Sequence, residues 1–148
     1  MKYDSYLVNQ WHWGGGETKV YDIENFRVFV CISTGSSLVV YEKSNAPEAL
    51  QAPTLIGYLS DQLPNRIVTS GWYWTESLET AIDINLNEAK AGGLTIIDVN
   101  VGDKVEFEWA GRGKTEIGKI ESKGVWGLMI KCDKAICYAP FHSVKKIL

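Results

Sequence analysis

Across residues 94–148 short β-type runs follow one another over small turns, with hardly a helical signal among them. Lys104-Val105-Glu106-Phe107-Glu108-Trp109 alternates strictly, so Val105, Phe107 and Trp109 share one strand face and Lys104, Glu106 and Glu108 take the other. A stretch patterned this way buries one side of a sheet and wets the other. With its turn spacing it predicts a small antiparallel barrel of about five strands.

The chain before it mixes strand and helix signals. Residues 5–13 and 25–33 read as strands separated by Gly14-Gly15-Gly16-Glu17-Thr18. In the second, Phe26, Val28, Val30 and Ile32 fall on one face and Arg27, Phe29, Cys31 and Ser33 on the other, which suits a central strand covered on both sides. Residues 38–42 supply its antiparallel partner, completing a β-meander. Asn45-Ala46-Pro47-Glu48 resembles a helix start, and Leu55, Ile56, Leu59 and Leu63 mark a second short helix over 54–62. Residues 66–74 return to strand chemistry. Then Thr75 or Ser77 caps the strongest helix, with Leu78, Ala81, Ile82, Leu86 and Ala89 on one stripe and Gly92-Gly93 at its end. The expected fold is α+β: an N-terminal antiparallel meander with two or three helices (residues 1–93), packed tightly on the C-terminal barrel (residues 94–148).

The chain of 148 residues carries six Trp and is 45% hydrophobic, enough to bury a sizeable core. Its net charge of −3 is uneven, at −5 over residues 1–93 and +2 over 94–148, so neither part offers the basic surface that duplex nucleic acid requires. No apolar run is long enough to cross a bilayer, and the first residues lack the apolar core of a signal peptide. Three cysteines, Cys31, Cys132 and Cys137, are too few for a disulfide scaffold and agree with a cytoplasmic, reducing setting.

Two stretches of the last third carry a family likeness. Val101-Gly102-Asp103-Lys104-Val105 opens a strand in a "GD-x-V" manner, and Pro140-Phe141-His142-Ser143-Val144 is a short Pro-containing turn leading into a last strand. In these features residues 94–148 resemble the SH3-like small β-barrels. The resemblance implies a five-stranded fold. It does not imply Pro-rich peptide binding, because the acidic RT-type loop and paired Trp of signalling SH3 domains are missing, and such barrels serve many roles.

Candidate chemistry is sparse. Cys132, Cys137 and His142 recur at a spacing that can gather two thiolates and an imidazole, but paired CxxC knuckles are absent, and neither metal nor cofactor is assigned. Cys31 and His12 lack the local context of a nucleophile and base. The aromatic residues weigh most: Trp11 and Trp13 share one strand face, and Trp72 and Trp74 share another. The leading expectation is a non-enzymatic binding or inhibitory module that recognises a protein partner through Trp11, His12, Trp13, Arg66, Trp72, Tyr73 and Trp74. The alternative is a small-ligand, nucleotide-like site or enzyme in the cleft between the two parts.

Overall fold

The computed structural model describes residues 2–9, 17–31, 37–46, 66–73, 76–109, 113–124 and 127–148. In the first sheet β1 (Tyr6–Asn9), β2 (Glu17–Ile23), β3 (Phe26–Cys31), β4 (Ser37–Glu42) and β5 (Ile67–Trp72) lie side by side in chain order, all antiparallel. The second contains β6 (Lys104–Glu108), β7 (Thr115–Gly124), β8 (Gly127–Lys131), β9 (Ile136–Ala139) and β10 (Val144–Ile147), in the order β10-β6-β7-β8-β9. Helix α1 (Leu78–Lys90) joins the two halves of the chain.

The α+β expectation is thereby corrected. The protein is mostly β, two five-stranded antiparallel sheets with one α-helix among the described residues, where two or three helices were expected. At the expected first helix start, Lys43–Asn45 form a single 3-10 turn tied to the β2–β3 turn by the Lys43 N–H on the Asn25 carbonyl (2.7 Å). Ala46 is extended (φ −71°, ψ 147°), as the residue before a proline is driven to be. The helix expected over 54–62 lies outside the described residues.

Glu17–Ile23 is a strand, where Glu17 and Thr18 were expected to end a loop and no element was expected over 19–23. It stands between β1 and β3, so β1 pairs with β2. The first sheet is buried on both faces. Val20, Phe29, Cys31, Val39 and Tyr41 face the second sheet and share one core with its Val105, Phe107, Ile120, Leu128 and Phe141. On the opposite face Tyr21, Val28, Val30, Leu38 and Val40 meet Ala81, Ile82, Leu86 and Ala89 of α1. The order is helix, meander, second sheet, with the meander as the middle layer.

The helix forms as its sequence dictates. Ser77 Oγ accepts the Thr80 N–H at the start (3.2 Å). At the end the Gly93 N–H reaches the Glu88 carbonyl (2.8 Å) and the Gly92 N–H the Ala89 carbonyl (3.2 Å), with Gly92 at φ 110°. This Schellman closure needs a left-handed residue that glycine adopts without strain. It also aims the chain at β5, where the Leu94 N–H bonds the Val68 carbonyl (3.1 Å).

Two details of the second sheet differ from the alternation. β6 ends at Glu108, and Trp109, its N–H on the Lys114 carbonyl, is 40% exposed, outside the buried row of Val105 and Phe107. Ile117 and Ile120, three residues apart on β7, take opposite faces, with Ile120 buried. Glu106 pairs with Ile117, which points out at 53% exposed, and the register shift falls between Ile120 and Ser122.

Candidate functional site

The two sheets join where β5 meets the turn before β10. The β4–β5 pairing shifts register between Val40 and Tyr41, and beyond the shift Ser70 lies opposite Val39 and Trp72 opposite Ser37. Because side chains alternate along a strand, Ser70 and Trp72 share the face of Val39, which looks at the second sheet. From that sheet the 3-10 turn Phe141–Ser143 presents His142.

Ser70 Oγ accepts the His142 main-chain N–H at 3.2 Å and lies 2.8 Å from His142 Nδ1. With its own hydrogen turned to Nδ1 the hydroxyl serves both, an arrangement that requires the Nε2–H tautomer of the ring. Burial, helped by the Lys145 charge and opposed by Glu108, brings the imidazole pKa down to about 4. His142 is therefore neutral at physiological pH.

Trp72 is half-buried. Its side chain packs against the shared core, and the residue lines a depression of about 240 Å³ with Glu108, His142, Ser143 and Lys145. The Lys145 and Glu108 side chains approach to 3.9 Å, an open ion pair that sets the charge of the rim more than it stabilises the fold.

The other expected site residues fall elsewhere. Tyr73 turns to the helix side of the meander, where its hydroxyl donates to the Cys31 carbonyl, so Trp72 and Tyr73 make no joint platform. Arg66 is exposed just before β5, and its charge reaches the buried Tyr41 hydroxyl. Trp11, His12, Trp13 and Trp74 lie outside the described residues. Cys31 is fully buried in the shared core.

Cys132 and Cys137 do converge, with their sulfurs 3.7 Å apart, while His142 is engaged with Ser70. The third group beside the thiols is Glu116, which the sequence reading missed. Its strand alternation, with Gly118 and Ile120 buried on the same side, was the available signal. Burial first, then Cys137 and Glu116, pushes the Cys132 thiol up to about 12, and burial raises Cys137 as well. A further depression of about 610 Å³ at the β2–β3 turn is lined, among the described residues, by the polar Glu24, Asn25, Glu42, Lys43 and Ser44 and by the Phe26 ring.

No known family model matches the chain, and neither the curated proteins nor the solved structures searched contain a match. Among the described residues no helix is long and apolar enough to cross a membrane.

Proposed function

We propose that the protein is a non-enzymatic binding or inhibitory module of the cytoplasm that engages a protein partner at the seam between its sheets, with Trp72 as the anchoring ring. The observation that carries this reading is the setting of Trp72. The ring rests on the shared core at the end of a strand, faces a depression, and is flanked by the Glu108–Lys145 pair. An aromatic side chain held rigid by packing and rimmed by polar groups is the composition of an interface hot spot.

The Ser70–His142 pair favours binding over catalysis. Ser70 is 2% exposed and is absent from the lining of the depression, so no substrate carbon can approach its oxygen. The hydroxyl is committed to one residue, which makes the pair an interlock between sheets. The depression, about 240 Å³, is also below the ~300 Å³ at which small-molecule pockets begin, so a partner's side chain fits it better than a nucleotide does. The SH3-like resemblance is supported by the place of β10 beside β6 after a 3-10 turn, and it leaves the choice of partner to this seam.

The test is affinity capture with the intact protein and with Trp72→Ala, Lys145→Glu and Trp109→Ala, each accompanied by its melting temperature. Trp72→Ala and Lys145→Glu should lose the captured partner while Trp109→Ala retains it. Equal capture by the Trp72 and Lys145 variants, or losses that merely follow melting temperature, would refute the assignment.

A further inference from the structure

Beside the β8–β9 turn three donor groups from separate parts of the second sheet meet: Glu116 of β7, Cys132 just after β8, and Cys137 of β9. Their ligand atoms all lie within 4.8 Å of one another. The two sulfurs stand 3.7 Å apart. Two thiolates bound at about 2.3 Å to a tetrahedral zinc stand about 3.8 Å apart by geometry alone. The sulfurs already hold that spacing, whereas a disulfide would need them at about 2.05 Å.

The backbone fixes the arrangement. Ile130 pairs with Cys137 and Lys131 with Ile136, and the Cys132 N–H bonds the Ala135 carbonyl at 2.8 Å. These bonds close a tight turn that sets one thiol beside the other. On the neighbouring strand Gly118 leaves the space that this turn occupies. A Cβ there would stand 2.5 Å from Ile130 Cγ2, 2.9 Å from the Lys131 carbonyl oxygen and 3.3 Å from Cys132 Sγ.

The cluster opens onto a groove of about 570 Å³. Among the described residues lining it, the charged ones are Glu106, Glu116 and Asp133 against Lys134, a balance that favours a cation. Two thiols and a carboxylate gathered on such a wall repel one another once ionised, and a bound divalent ion converts that repulsion into attraction.

We propose that Glu116, Cys132 and Cys137 bind one thiophilic divalent cation, zinc foremost, with a fourth coordination position open to the groove. Two thiolates with one carboxylate suit zinc and exclude the oxygen-seeking magnesium and calcium. On binding, each thiol gives up its proton to solvent, so two protons leave per metal ion, and three protein ligands leave the open position. The site is distinct from the Trp72 seam, and its failure would leave that reading standing.

The experiment uses the intact chain, kept reduced and stripped with chelator, and titrated with Co²⁺ alone before displacement by Zn²⁺. One equivalent of Co²⁺ should produce thiolate-to-metal charge-transfer absorption that Zn²⁺ abolishes. Cys132→Ser and Cys137→Ser should each lose about half of that absorption and at least tenfold in zinc affinity. Glu116→Gln should keep the absorption with affinity lowered about tenfold. His142→Gln should bind as the parent does. Circular dichroism of the metal-free variants separates loss of ligands from loss of fold. Absence of charge transfer in the parent, unchanged zinc affinity in the Cys132→Ser/Cys137→Ser double variant, or a Cys132–Cys137 disulfide in place of metal uptake would overturn the site.

Discussion

Ser70 of β5 and His142 of the turn before β10 meet at 2.8 Å, hydroxyl to imidazole, across the joint between two sheets whose residues lie 72 apart in the chain. The contact is selective because the same hydroxyl also takes the His142 main-chain N–H. It orients the turn that holds Ser143 and leads into β10, and so shapes the wall opposite Trp72.

That geometry makes the fold acid-sensitive in a definite window. The folded imidazole titrates at about 4, below the ordinary histidine value of 6.5, so between these values the unfolded chain binds a proton that the folded one refuses. The neutral ring's contribution is complete above pH 6.5 and is lost as pH falls toward 4. Its size is at most about 3 kcal/mol, reduced by the ring's remaining contact with water. The charges reaching the ring are Lys145, which lowers its pKa, and Glu108, which raises it. Urea unfolding at pH 7.5 and pH 4.5 should show the parent losing distinctly more stability than His142→Gln. Parallel losses would disprove the assignment.

The hydroxyl can be tested separately. Ser70→Ala leaves the His142 N–H and Nδ1 without their partner in a part-buried joint, which costs about 1–3 kcal/mol. In a double-mutant cycle Ser70→Ala and His142→Gln should couple by at least ~0.5 kcal/mol. Simple additivity would show that the two residues do not act as a unit.

Much of this fold was legible where a single period ruled. Helix α1 announced its stripe, its Ser77 cap and its glycine stop, and β6 its alternation, because each has one wet face and one dry face. Legibility failed where that contrast vanishes. Glu17–Ile23 buries Thr18 and Val20 on one side and Tyr21 on the other, so its period is blurred, and the preceding glycines drew its first two residues into a loop. The candidate sites were half-legible for a similar reason. Cys132 and Cys137 are close in sequence and in space, but Glu116 arrives through strand pairing, which spacing does not reveal. His142 has the right spacing and is committed to Ser70, and Trp72 and Tyr73, adjacent in sequence, go to opposite faces of the meander.

Gly118 offers a test of close packing within the second sheet. It faces inward on β7, and an added methyl would meet Ile130 Cγ2 and the Lys131 carbonyl oxygen at 2.5 and 2.9 Å. A carbonyl in a paired strand does not give way as a flexible side-chain tip does. Gly118→Ala should therefore destabilise by about 1–3 kcal/mol in chemical denaturation. Its backbone is not left-handed, so relief should come from removing the opposing methyl, and Ile130→Ala, which deletes Cγ2, should be less harmful beside Gly118→Ala than alone. Equal harm in both backgrounds would place the strain elsewhere.

Tyr41 raises the sharpest question of stability. Its ring is fully buried in the shared core and meets Phe29 edge-on, with centroids 5.5 Å apart and planes at 80°. The hydroxyl at its tip has no hydrogen-bond partner among the described residues. Burial pushes its ionisation far above the ordinary tyrosine range, so it stays an uncharged hydroxyl inside an apolar layer. Leaving such a group unpaired costs about 1–3 kcal/mol, while the ring's packing stabilises the joint between the sheets. Tyr41→Phe keeps the ring and its edge contact and removes the oxygen alone. It should leave stability unchanged or raise it by about 1 kcal/mol, whereas Tyr41→Ala should lower it by about 3–5 kcal/mol through the cavity left behind. Denaturation midpoints of the two variants separate these effects. A clear loss of stability in Tyr41→Phe would show that the hydroxyl belongs to a polar contact that the fold depends on.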